Sequence, residues 1–277
     1  MAFREALARL DRRWIFTLTG LLVLVPLLWP LNLPLTPSPT VHAYHDVIAA
    51  LPAGARVLVS CDFDPAARPE LEPMTRTTLR QLFRQHCKVV VVVLYQGGAL
   101  LVDQVVRDVA AECGAVYGTD VVDLGYKAGN EAVMVLMGQS IPNTFPLDLN
   151  GVDVRTMPVM RGVRNYSSFP LLVSISAGYP GTKEYVQQVQ GRFHIPIVAG
   201  VTAVFAPTLY PYLQSGQLRG LLGGMAGAAE YERLRGEQGP ASRGMDAQSL
   251  AHVFIALCIV LGNVAQWSRG GKGGAGA

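Results

Sequence analysis

Asp62 and Asp64, one residue apart, follow an apolar run at 56–61. Carboxylates just after a buried strand can take part in metal-assisted or acid–base chemistry, or they can cap the turn into the next helix. Other polar residues fall where similar runs end: Tyr95, Lys127 with Asn130, Ser176 and Thr202. In a doubly wound sheet, ligands bind at the carboxyl ends of the strands. If these runs are strands, Asp62, Asp64, Tyr95, Lys127, Asn130, Ser176 and Thr202 share one rim and form the candidate ligand-binding set. Lys127 precedes a helical pattern whose first turn holds Gly129 and Asn130, and an ammonium beside free helix-start amides suits a small anion.

The Asp62–Phe63–Asp64 spacing resembles the opening motif of the haloacid-dehalogenase phosphotransferases. That resemblance covers this motif alone and implies a third reading, a metal-dependent hydrolase using Asp62 and Asp64. The family also needs a hydroxyl residue closing the next strand and an acidic pair after a later one. Tyr95-Gln-Gly and Ser176-Ala-Gly supply neither.

Other chemistry finds no constellation. The order around Gly178, Thr182 and Lys183 does not form a phosphate loop, and no Gly-x-Gly-x-x-Gly follows the first strand. His42, His45, His86, His194 and His252 all lie away from the strand-end loops, and no Gly-x-Ser-x-Gly elbow occurs. Cys61, Cys87, Cys113 and Cys258 match no metal spacing. The sequence thus assigns no catalytic residue, no metal ligand and no cofactor, and it favours a non-enzymatic role.

Alternating elements must position the rim. Strands are expected at 56–61, 88–95, 115–122, 171–177 and 195–203, with helices at 70–86, 100–113, 128–137 and 185–193. The run Lys88-Val-Val-Val-Val-Val-Leu-Tyr95, apolar on both faces, is what a central parallel strand requires. The expected fold is α/β and Rossmann-like: five or six mostly parallel strands with helices on both faces, over 43–235. The stretch 140–170 breaks the rhythm but carries too much apolar content for a disordered linker. It reads as an ordered excursion covering a sheet edge or meeting a partner.

Two apolar stretches frame this domain, at 14–33 and 250–267, each near the ~20 residues that cross a bilayer. Between them and the domain lie a Pro-rich linker, 34–42, and a second linker, 236–249. Charged residues make up only 16% of the 277, and the net charge of +3 is dispersed, which argues against nucleic acid as a partner. Arg4, Arg9, Arg12 and Arg13 precede the first stretch, and Arg269 and Lys272 follow the second. The positive-inside rule then places the N-terminus (1–13) and the Gly-rich tail (268–277) in the cytoplasm and the domain outside it. A signal peptide cleaved near Ala43 is the rival reading.

Finally, 216–232 reads as a helix with Gly220, Gly224 and Ala228 spaced by four, as are Gly223 and Gly227. Small residues at that spacing let another backbone lie close, so this face is the candidate interface. The leading expectation is a membrane-anchored scaffold or accessory subunit that forms homo-oligomers or docks onto a membrane complex. The alternative is a tethered sensor that holds a small anionic ligand at the rim.

Overall fold

The computed structural model describes residues 12–270. They fall into two compact units, Leu35–Ala241 and the terminal segments 12–34 with 242–270. Arg4, Arg9, Lys272 and most of the Gly-rich tail lie outside the described residues.

The larger unit is built on a six-stranded sheet, with every neighbouring pair parallel. Its strands are β1 (Arg56–Asp62), β2 (Lys88–Val93), β3 (Val121–Tyr126), β4 (Leu171–Ser176), β5 (Ile197–Val201) and β6 (Gly220–Gly223), in the spatial order β3-β2-β1-β4-β5-β6. This is the doubly wound order, in which chain direction across the sheet reverses between β1 and β4. Alternation sends Leu58, Val90, Val92, Val122, Leu172 and Ile197 into one core layer. Val57, Val59, Val89, Val91 and Val173, all fully buried, face the opposite way. Burial on both faces explains why β1, β2 and β4 are nearly continuous apolar runs.

Before β1 comes α1 (Arg12–Leu28), in the smaller unit, and α2 (Pro39–Ala49). Then follow α3 (Arg68–Arg84), α4 (Ala99–Cys113), α5 (Glu131–Gln139) and α6 (Ile141–Thr144). A helical segment running through α7 (Thr182–Tyr185), a π turn at Val186–Gln190 and α8 (Gly191–Phe193) joins β4 to β5. The chain closes with α9 (Ala206–Gln214), α10 (Gly224–Leu234) and α11 (Pro240–Gly270). The excursion at 140–170 is ordered: α6 and three 3-10 turns set Ile141, Phe145, Val154, Val159, Tyr166 and Phe169 into the same core layer as β2 and β3.

An ion network straps α3 to its surroundings. Arg76 meets Asp108 at 2.9 Å, and Arg80 meets Glu112 at 2.8 Å. Glu237, mostly shielded from solvent, accepts from Arg80 at 3.1 Å and Arg84 at 3.0 Å. Two guanidinium groups then share one carboxylate that also closes the loop after α10. Glu237→Ala should lower the stability of this unit by about 1–2 kcal/mol. Thermal unfolding of the detergent-solubilised chain reads this as a lower Tm.

Several expectations are corrected. The third strand is Val121–Tyr126, not 115–122, because Gly118 takes φ +79° and folds residues 116–121 into a turn. The expected helix at 216–232 is a strand followed by a helix: Gly220–Gly223 pairs with β5, and Gly224, at φ +62°, starts α10. Helix α2 begins inside the expected Pro-rich linker, with Pro39 accommodated in its first turn, where no amide bond is lost. Helix α11 begins at Pro240, so the expected linker 236–249 is largely helical.

In the smaller unit, one helix among the described residues is long and apolar enough to cross a membrane, by length and composition. It is Pro240–Val264, with mean hydropathy 1.8 and 6% of its most apolar window buried. The stretch expected to span from 14 to 33 stays helical only to Leu28, since Pro30 and Pro34 cannot continue a helix and Asn32 sits at φ +54°. After α1 the amides of Leu31 and Asn32 donate to Asp246 Oδ2 at 3.1 and 2.9 Å, and that of Leu33 to Oδ1 at 3.2 Å. Asp246 thereby gathers three successive donors that no helix serves. Side chains of α1 and α11, Leu18 and Leu21 with Phe254 and Leu257 among them, line an apolar cleft of about 430 Å³.

Candidate ligand-binding site

The loops after β1 and β2 meet at a glycine. A Cβ on Gly98 would lie 2.1 Å from the Phe63 carbonyl oxygen, so only glycine lets the two backbones touch. Beside it, a Cβ on Gly97 would come 3.3 Å from the Tyr95 ring and 3.7 Å from Asp64 Cβ. Tyr95 and Asp64 therefore both lie beside Gly97. Asp64 Oδ1 is held by the amides of Ala66 and Ala67, each at 3.1 Å, which fixes the carboxylate at the start of the turn into α3.

A cavity of about 710 Å³ opens here at the carboxyl ends of the strands. Asp64, Leu94, Tyr95, Gln96 and Gly97, at the ends of β1 and β2, line it. Tyr126, which closes β3, and Asn130, which precedes α5, bring in the edge strand. Tyr179 and Pro180, from the loop after β4, complete the lining across the β1/β4 reversal. Asn130, at φ 47°, makes no side-chain capping bond to α5. Tyr95 is 37% and Tyr179 58% exposed, which leaves both phenols open to a ligand.

Of the expected site residues, Asp64, Tyr95 and Asn130 come together here, and the other four do not. Asp62 lies beneath the rim, 1% exposed. Its Oδ2 accepts from the Ser60 hydroxyl and its Oδ1 from the Leu94 amide, both at 2.6 Å, while Tyr185 donates to Ser60 at 2.9 Å. This carboxylate ties β1 to the end of β2. Burial pushes its pKa up to about 7, with the Glu184 carboxylate adding to the rise and the two hydrogen bonds opposing it. Ser176 is buried, its hydroxyl engaged with Thr182 Oγ1 at 3.2 Å, and Thr202 donates to the Ala177 carbonyl at 3.4 Å. Lys127 turns away from the cavity: its Nζ stands 5.7 Å from the centre of the Phe145 ring, in a neighbouring cleft of about 300 Å³ that Asp148 also lines.

A second buried carboxylate lies in the edge strand. Asp123 Oδ1 accepts from the Gly125 amide at 2.8 Å, while Oδ2 has no partner. Burial raises its pKa to about 7; Asp103 and Asp148 add to the rise, and the Gly125 bond and Arg107 oppose it. Among the described residues no group of three or more His, Cys, Asp or Glu is arranged to hold a metal ion.

Sequence reasoning missed Gln96, Gly97, Tyr126, Tyr179 and Pro180. Tyr126 closes β3 and Tyr95 lies two residues past β2, so a tyrosine at a strand's carboxyl end was the available signal. Tyr179 lies in the loop after β4, between Gly178 and Gly181.

The expected interface residues sit against the chain itself. A Cβ on Gly220 would lie 2.4 Å from the backbone of Tyr44, and one on Gly224 would lie 2.6 Å from Ala203 Cβ. For Gly227 the neighbour is the Leu222 backbone at 3.0 Å, and for Gly223 it is Ala206 at 3.1 Å. Ala228 is 1% exposed. The close approach that small residues permit is taken up within the domain.

No family model matches this chain, and no curated protein does either. One solved structure, a crystal structure of the glycotransferase of kitacinnamycin, is similar at 14% identity and a TM-score of 0.25. The match covers 66% of this chain and 39% of that one, so this chain spans well under half of its neighbour's length. A likeness at that level carries no argument about activity.

Proposed function

We propose that this chain is a membrane-tethered binding domain that holds a small molecule in the cavity at the carboxyl ends of β1 to β4. The observation that carries this reading is the cavity's place and lining. It lies at the strand-order reversal of a doubly wound sheet, the position where such folds take ligands. Its volume falls within the range of small-molecule sites, and aromatic walls with a few polar groups are the usual lining of one. Asp64, Gln96 and Asn130 offer donors and acceptors, and three tyrosines offer flat faces.

Both apolar helices serve as anchors in this reading. Helix α11 is long enough to cross, and α1, at 17 residues, reaches the lower limit for doing so. The exposed apolar side chains of α1, Trp14, Phe16 and Leu24 among them, suit lipid contact. With the arginines that precede α1, this favours cytoplasmic termini and an extracytoplasmic domain.

Gly97→Leu tests the reading. A leucine side chain at 97 would crowd the part of the cavity beside Tyr95 and Asp64, while its Cβ needs only a small shift of the exposed Tyr95 ring. A metabolite panel screened by thermal shift should yield compounds that raise the Tm of the wild-type chain. A ligand at a hundred times its Kd adds about 2.7 kcal/mol. Gly97→Leu should keep the ligand-free Tm and lose the shift. If every compound shifts the two chains equally, the cavity is not the site.

A further inference from the structure

The charge of the cavity selects among ligands. Among the described residues, Asp64 is the sole carboxylate in its lining, and no lysine, arginine or histidine takes part. Lys127, the cation expected at this rim, stands over Phe145 in the adjoining cleft. Three phenol rings, those of Tyr95, Tyr126 and Tyr179, contribute to the walls, and Gly97 lies in contact range of both the Tyr95 ring and the Asp64 side chain. An aromatic face carries negative charge density that attracts a cation, and the attraction grows when the cation loses water. A carboxylate beside such rings supplies the opposite charge and a directional acceptor. An anion would meet this carboxylate and these ring faces with no cationic side chain in the lining to balance it.

We infer that the cavity recognises a small molecule bearing an alkylammonium group, which sits between the Asp64 carboxylate and the tyrosine rings. Gln96 and Asn130, both in its lining, take the uncharged polar part of the same molecule. The volume left after a trimethylammonium head is seated accommodates such a body. This rests on the binding-domain reading and replaces the small anion expected from Lys127 with a ligand of the opposite charge.

Choline and its uncharged carbon isostere, 3,3-dimethyl-1-butanol, separate charge from shape, and inorganic phosphate stands for the anion. Each is titrated against the detergent-solubilised full chain by saturation-transfer difference NMR, which reads weak binding. Choline should saturate, while the isostere binds roughly tenfold more weakly or less and phosphate gives no displaceable binding. Asp64→Asn keeps the oxygen that accepts from Ala66 and Ala67, so the turn survives and only the charge is lost. It should weaken choline roughly tenfold, and Tyr179→Leu, an exposed change with no hydrogen bond to lose, severalfold. Isostere binding equal to that of choline, full choline affinity in Asp64→Asn, or no choline binding would each overturn the inference. The parent reading is judged separately: a neutral or anionic compound whose binding vanishes in Gly97→Leu keeps the site and discards the ammonium.

Discussion

Gly220→Ala should cost the larger unit about 3 kcal/mol and lower its Tm by roughly 6–12 °C. The added methyl would lie 2.4 Å from both the N and the Cα of Tyr44, and these are backbone atoms that cannot swing aside. Tyr44 is held in turn. It is fully buried, its hydroxyl pairs with Thr78 Oγ1 at 2.8 Å, and its ring meets Tyr231 edge-on at 5.1 Å. Relief therefore requires the whole of α2 to lift from β6, which loosens two tyrosines and the edge of the sheet together. Gly178→Ala is the matched control, since nothing lies within 4 Å of its Cβ position. Calorimetry of the two variants, with light scattering for assembly state, separates internal packing from a subunit contact. If Gly220→Ala left the Tm unchanged and altered only the assembly state, the packing account would be wrong.

The second large effect is on pH. Asp62 and Asp123 each have a folded-state pKa of about 7 against an ordinary value of 3.8. Between those values the folded chain keeps protons that the unfolded chain releases. Stability is therefore greatest on the acid side and falls as pH rises through the window, by up to about 1.4 kcal/mol per pH unit for each group. The carboxylates of Glu72, paired with Arg68 and Arg76, and of Asp148 are shifted downward, so their contribution is lost only at lower pH. Denaturant unfolding should give a maximum near the acid end of this window and a decline from about pH 5 to 7. Asp123→Asn removes one of the two carboxylates and should reduce the slope by about half. A profile that rises from pH 5 to 8 would contradict the burial of both groups.

The same residues show what the sequence could reveal. Strands β1, β2, β4 and β5 are buried on both faces, so unbroken apolar runs exposed them. Strand β3 was displaced in the reading because an edge strand tolerates Asp123 and Gly125 within it, and the pattern slid toward the apolar residues at 115–117. Strand β6 was hidden in four residues framed by glycines whose spacing mimics a helix. Helix α9 holds Pro207 and Pro211 and was not assigned, while α2 starts with a proline inside the expected Pro-rich linker. At the rim, topology alone located Asp64, Tyr95 and Asn130, because ligand crevices follow strand ends. It could not tell which way a side chain turns. Lys127 and Thr202 follow strand ends yet miss the cavity, and Asp62, still the last residue of β1, is held in the core by Ser60 and the Leu94 amide, whereas Asp64 lies past the strand in the turn into α3.

The place of β1 has a consequence for biosynthesis. Val57 pairs with Val89 on one side and with Leu171 on the other, so its first neighbour is made soon after it and its second much later. At ribosomal speeds of ~5–20 residues per second, β1 waits on the order of ten seconds with one apolar edge open. An open edge of this kind is a template for pairing with another chain. The β1–β2–β3 half is thus the vulnerable nascent species, and the arrival of β4 both closes that edge and creates the reversal at which the cavity opens.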